Sequence, residues 1–147
     1  MDMTQLDRPI PSNRIERSLM DDPVTVLRPR RPVAVRASTT VGDTIKLLLE
    51  NEIGALLVVN EEGELVGIFS ERDLLTKVAG LYDSYAELPI HMFMTANPET
   101  VSTSDTLAFA IHKMDVGGYR HLPVIHHGAP VGVVSVRDML RHITRLC

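Results

Sequence analysis

An α+β fold, built from two β-α-β-β-α repeats packed about a pseudo-twofold axis, is predicted by three features of this 147-residue chain. The second half repeats the first. Helical and strand periodicities follow one another in the same order in both halves, and neither half is large enough to cover its own sheet and helices. Residues 32–60 align without a gap on 98–126, at an offset of 66, so that Pro32 meets Pro98, Val35 meets Val101, Thr40 meets Thr106, Leu56 meets Leu122 and Val58 meets Val124. One residue is then lost at a glycine turn, where a length change costs little. Beyond it Val66-Gly67, Ser70, Arg72-Asp73 and Leu75 match Val131-Gly132, Ser135, Arg137-Asp138 and Leu140.

Each element follows from local pattern. Residues 1–13, with Pro9 and Pro11, read as a loose tail, and 13–22 as a short helix ended by Pro23. Strand-like residues 33–35 and 100–101 open the two repeats. A helix is predicted over 40–52 from Ile45, Leu48 and Leu49 at helical spacing, and Leu107, Ile111 and Met114 repeat the stripe. β-Branched runs at 55–59 and 121–125 predict strands; after a glycine turn, 65–69 and 130–134 predict their partners. The last helix opens at Ser70 or Ser135, with Leu74, Leu75 and Val78, or Met139, Leu140 and Ile143, expected on its buried side. Residues 79–94, with Tyr82, Asp83, Tyr85 and Pro89, are expected to cross between the units. The domain reading is therefore a tail and short helix at 1–22, a first repeat at 23–80, a connecting segment at 81–94 and a second repeat at 95–147.

Composition narrows the function. Hydrophobic residues make up 44% but aromatics only 4%, with no tryptophan, so the core must be aliphatic. A net charge of −4 argues against a general nucleic-acid binder. No apolar run approaches the ~18 residues that cross a bilayer, and the first residues lack the basic and apolar stretches of a signal peptide. The single cysteine, Cys147, can neither pair internally nor serve as a prenylation site at the last position. A cytoplasmic protein without a membrane partner is expected.

The chemistry-bearing motif is Gly-h-h-Ser-x-x-Asp (h apolar), present as 67–73 and as 132–138. Each copy ends a strand and opens a helix, where exposed N–H groups and the helix dipole favour an anion. The Ser hydroxyl can donate to a phosphate oxygen, and the Asp carboxylate can accept from two ribose hydroxyls. Equally, Ser-x-x-Asp before an apolar helix is a capping box that satisfies orphan helix N–H groups. Duplication does not separate the two, because a duplicated helix carries a duplicated cap.

The element order, Leu122-Pro123-Val124 and the two in-register motifs resemble a tandem CBS domain pair, over roughly residues 23–146. The resemblance implies a non-catalytic regulatory module that binds AMP, ADP, ATP or another adenosine compound (S-adenosylmethionine, NAD) between its repeats, needs no cofactor, and assembles as a homodimer or on a separate regulated protein. Carried over by position, Ser135 and Asp138 would work with Thr39, Thr44, Ile53 and Gly54, with Thr39 toward the phosphate and the 53–54 backbone holding the adenine. The mirror site would join Ser70 and Asp73 to Asp105, Tyr119 and Arg120. There Asp105 replaces the family's hydroxyl, so phosphate is unfavourable unless Arg120 or His121 compensates. The Asp138 site is therefore the first expectation. Arg28, Arg30, Arg31 and Arg36 form a basic segment that either reaches a phosphate tail or stays solvated.

Two other classes compete. A protein-interaction adaptor would have lost its ligand; it has no use for carboxylates facing a cleft. A metal binder would use His121, His126 and His127, with His91, His112 and His142 elsewhere, but adjacent histidines on a turn rarely ligate one ion. No nucleophile elbow or Walker loop supports an enzyme, and neither motif serine has a histidine beside it in sequence.

Overall fold

The computed structural model describes residues 10–80 and 82–147. The tail predicted at 1–13 lies outside the described residues up to position 9. Beyond it the helix α1, Ile10–Asp21, begins three residues earlier than the pattern suggested. Pro11 falls in its first turn, where a missing N–H leaves no bond unmade.

The first repeat comprises β1 (Ala34–Arg36), α2 (Val41–Asn51), β2 (Ala55–Val59), β3 (Leu65–Ser70) and a short helix α3 (Glu71–Asp73) that continues as a π-helical stretch, Leu74–Val78. A short helix α4 (Tyr82–Tyr85) and strand β4 (Thr95–Ala96) follow. The second repeat comprises β5 (Val101–Ser102), α5 (Leu107–Gly117), β6 (His121–His126), β7 (Ala129–Ser135) and α6 (Val136–Leu146). One sheet runs β1-β2-β3-β4 and the other β5-β6-β7. In each, the first strand is parallel to the second (Val35 opposite Val58; Val101 opposite Val124), and the second is antiparallel to the third. Even the register slips are duplicated, at Val58/Val59 and Val124/Ile125.

The caps repeat as well. Thr40 Oγ1 accepts from Asp43 N at 3.1 Å and Thr106 Oγ1 accepts from Phe109 N at 3.2 Å, starting α2 and α5. At the other end α5 stops at Gly118 in the left-handed region (φ 70°), whereas α2 stops at Glu52 in that same conformation (φ 53°).

The two cores exchange segments. Val24 is fully buried among Val101, Leu107, Leu122 and Val134 of the second repeat, while Tyr85, Ile90 and Phe93 complete the core of the first around Val41, Leu56 and Phe69. The backbone shows the same crossing. Val24 N donates to Asp105 O and Leu107 N to Asp22 O; Val41 N donates to Leu88 O and Ile90 N to Thr39 O. These bonds are equivalent under the 66-residue offset. The segment preceding each repeat thus packs against the other one, so that neither core is complete in its own stretch of chain. A third cluster, Ala55, Leu57 and Ile68 with Val133, joins the two sheets.

The burial predicted for three leucines does not hold. Leu49, Leu75 and Leu140 are 74%, 71% and 59% exposed, whereas Val78 and Met139 are buried as expected and Asp73 is buried beside them. In each final helix the leucine two residues past the capping aspartate, Leu75 or Leu140, faces outward, while Leu74 packs against the first core.

Candidate functional site

Strand β7 ends at Ser135, whose extended backbone turns directly into α6. Both halves of a capping box close there: Asp138 N donates to Ser135 Oγ at 3.2 Å, and Asp138 Oδ2 accepts from Ser135 N at 2.8 Å and from Ser135 Oγ at 3.0 Å. This engages one carboxylate oxygen. The other, Oδ1, has only Arg141 Nη1 near it among the described residues, at 3.6 Å. Capping α6 therefore engages only one oxygen of this aspartate.

Asp138 lines an open cleft of about 1050 Å³ between the two repeats. Ser135, Ile53, Gly54, Arg120 and His121 line it too, with an apolar wall that includes Leu48, Leu49, Leu74 and Leu140. The junction is tight at its base. A Cβ on Gly54 would stand 2.9 Å from Glu71 Oε1 and 3.0 Å from His121 Nε2, so a hydrogen is all that fits between these side chains as they stand. Burial holds the His121 imidazole below its ordinary value near 6.5, against the opposing pull of the Glu71 and Asp138 carboxylates, while Arg120 adds to the depression. The cleft is basic although the chain is acidic: Arg28, Arg30, Arg31, Arg120, Arg137, Arg141 and Arg145 face Glu52, Glu71 and Asp138.

The mirror corner is built differently. Ser70 and Asp73 form the same capping box, with Asp73 Oδ2 accepting from Ser70 N at 3.0 Å and Asp73 N donating to Ser70 Oγ at 3.2 Å. Here the second oxygen is also taken: Asp73 Oδ1 meets Lys77 Nζ at 3.1 Å and accepts from Thr95 Oγ1 at 3.5 Å. Asp73 is buried, and Met94 packs closely on Gly67 of the adjoining strand. This carboxylate is occupied with holding its own repeat together.

Several expected groupings do not form. Thr39 lies on a separate groove with Arg36, Asp43 and Lys46, where its Oγ1 accepts from Arg36 N at 3.2 Å. Thr44 is fully buried and donates to Thr40 O at 2.8 Å. Both belong to the capped turn of α2, whose far end, not its start, reaches the cleft. Arg120 and His121 flank the Ser135–Asp138 corner, because His121 pairs with Ser135 across β6–β7 and Arg120 O accepts from Val136 N, and His121 also stands beside Glu71, the residue after Ser70. Asp105 Oδ2 accepts from Ser102 N at 2.7 Å, and Tyr119 packs against the second core; neither lines this cleft. Ile53 and Gly54 line the same cleft as Ser135 and Asp138.

Sequence reading missed Glu71, Arg141 and Arg145. Arginines at 137, 141 and 145 recur every four residues along one helix, a pattern visible in the sequence but without meaning until a cleft faces it. Of the basic segment, Arg28, Arg30 and Arg31 reach the cleft and Arg36 does not. The histidines are dispersed: His126 touches Thr103 and His127, while His142 Nε2 lies 2.8 Å from Ser18 Oγ, which donates to Asp22 Oδ2 at 2.6 Å. Among the described residues no three potential ligands stand together as a metal site would require. No described helix is long and apolar enough to cross a membrane.

Comparison with known proteins bears on this arrangement. The sequence profile described as CBS domain matches residues 17–80 and 89–145. A CBS-domain containing protein from Agrobacterium tumefaciens superposes with a TM-score of 0.76 at 29% identity, over 82% of this chain and 98% of that one. A CBS domain protein from Pyrobaculum aerophilum, complexed with AMP, superposes with a TM-score of 0.73 at 27% identity, over 84% and 98%. The CBS domain-containing protein CBSCBSPB1 of Arabidopsis thaliana is 33% identical over 78% of this chain, which spans only 21% of that relative's length.

Proposed function

The chain belongs to the CBS domain family, and from that premise we propose that it is a non-catalytic regulatory module binding an adenine nucleotide in the cleft between its repeats. The observation that carries the reading is Asp138, which caps α6 with one oxygen and presents the other to a cleft lined by both repeats. A carboxylate oxygen met only by the exposed Arg141, beside a serine hydroxyl, suits a ribose diol. The leucine wall and the half-buried Ile53-Gly54 segment suit a flat base, and the surrounding arginines suit phosphate. The AMP complex of the Pyrobaculum relative supports the same ligand class. Among the predicted residues, Ser135, Asp138, Ile53, Gly54, Arg120 and His121 form the proposed site; Ser70 and Asp73 are assigned to structure. AMP, ADP and ATP are the proposed ligands, with S-adenosylmethionine and NAD sharing the adenosine. Binding would shift conformational populations or partner contacts rather than accelerate a reaction. The cytoplasm and a homodimer are its proposed setting and assembly.

The test is the ligand-induced melting shift with AMP, ADP and ATP for the wild type and for Asp138→Asn. The amide retains an acceptor for the helix cap while giving up the charge that grips the diol. A rise in Tm for the wild type, at least halved in the variant, is expected. If neither protein responds to any nucleotide, a ligand-free adaptor becomes the better account.

A further inference from the structure

Resting on the reading of the cleft as an adenosine site, we propose that its ligand carries a polyphosphate tail, a nucleoside di- or triphosphate, in preference to a monophosphate or a cationic adenosine derivative. The duplication supplies an internal control. Under the offset that aligns the repeats, Arg28, Arg30, Arg31, Arg120, Arg141 and Arg145 correspond to Met94, Ala96, Asn97, Gly54, Thr76 and Gly80. Only Arg137 has a basic counterpart, Arg72. The cluster of arginines is therefore not a feature that both repeats share, and it stands on a cleft of a chain whose net charge is −4.

These cations come from both sides of the cleft. Among the described residues Arg141 has an ion pair, to Asp138, and the other six cleft arginines have none. Seven guanidiniums against Glu52, Glu71 and Asp138 leave an excess of four positive charges with His121 neutral. A phosphomonoester brings about −1.5 to −2 at neutral pH, which leaves much of that excess uncompensated; a triphosphate comes nearest to balancing it. Unpaired like charges gathered in one cleft repel one another, and a multivalent anion relieves that repulsion. A cationic ligand would add to it.

The chain also spends backbone energy on this side. Arg28 sits in the left-handed region (φ 50°) at the end of the 3-10 helix Val24–Leu27. That conformation is uncommon for a residue with a side chain. From it Pro29 and Arg30 run against Gly132 of β7, whose added Cβ would lie 2.7 Å from Pro29 Cβ. The strap carrying Arg28, Arg30 and Arg31 is thereby pinned beside the corner that holds Asp138. Phosphates extending from a ribose at Asp138 would lie between arginines of α6 and arginines of the strap, side chains that can form forked hydrogen bonds with phosphate.

Isothermal titration of the full chain with ATP, ADP, AMP, S-adenosylmethionine and inorganic tripolyphosphate tests the proposal. ATP should bind at least about tenfold more tightly than AMP, and S-adenosylmethionine more weakly than AMP. Arg31→Gln combined with Arg145→Gln should lower ATP affinity about tenfold or more and by a larger factor than it lowers AMP affinity; Lys46→Gln, on the separate groove, should change neither affinity. AMP or S-adenosylmethionine binding as tightly as ATP overturns the polyphosphate assignment and leaves the adenosine reading standing. Tripolyphosphate binding as tightly as ATP upholds the phosphate assignment and removes the adenosine reading. No binding of any of the five removes both.

Discussion

At position 121 the second repeat places a histidine where the first has Ala55, and at 54 the first repeat has glycine where the second has Arg120. These substitutions meet at the junction, since the imidazole occupies space that a side chain on Gly54 would need. The groups that act on the ring are Glu71, Asp138 and Arg120, with burial the dominant influence and in the direction of neutrality. Its folded-state pKa therefore lies below the unfolded value near 6.5. Between those two values the unfolded chain holds more protons, so this contribution to stability is complete above 6.5 and is lost as pH falls through the folded value. The melting temperature of the unliganded wild type should decline more steeply from pH 7.5 to 5.5 than that of His121→Ala. Equal slopes for the two proteins would show that another group carries the dependence. A phosphate bound nearby would favour the imidazolium and so oppose the decline.

The two strand-to-helix corners share a sequence motif and a capping box but not a role. At the first corner Asp73 binds Ser70, Thr95 and Lys77, tying α3 to β4 of the same sheet. At the second, Asp138 binds only within its own helix and corner. Loss of a cap costs about 0.5–2 kcal/mol, and an unsatisfied buried partner about 1–3 more. Asp73→Ala should therefore destabilise the protein by more than Asp138→Ala, as measured by urea unfolding, yet leave ligand-induced stabilisation intact. Greater destabilisation by Asp138→Ala would mean that the division of roles is reversed. The corners diverge because of what crosses them. Met94 and Thr95 cover one, whereas Pro29 and Arg30 border the other and leave its carboxylate facing open space.

Across the whole molecule, stability is shared through exchanged segments. Ile90 comes after the first repeat in sequence yet is fully buried in that repeat's core, and Val24 precedes the first repeat yet fills the second. The link between α1 and α6 through His142, Ser18 and Asp22 adds a polar tie to the same crossing. Truncation of a buried isoleucine to alanine costs about 2–5 kcal/mol. Ile90→Ala should produce that loss within one cooperative transition seen by both calorimetry and circular dichroism, because each core depends on chain that also serves the other. Two separated transitions would establish that the repeats unfold independently. This coupling also gives a ligand at the junction a route to both halves, since the cleft is lined by residues from each.

The sequence by itself determined the repeat, its element order and the capped corners, because these depend on local periodicity and on bonds made within three or four residues. Residues such as Thr40, Thr106, Ser70 and Ser135 cap helices whatever surrounds them. It also supplied Ile53, Gly54, Ser135 and Asp138 as neighbours, through positional resemblance. Only the tertiary structure decided that Thr39 and Thr44 turn away from that cleft, that Arg120 and His121 line it with Asp138, and that Asp73 is tied to Thr95 and Lys77 while the second oxygen of Asp138 meets only Arg141. Identical motifs carry no record of which distant segment will lie across them. That is settled by the packing of two nearly equivalent halves, where the few positions that break the symmetry decide which corner remains open.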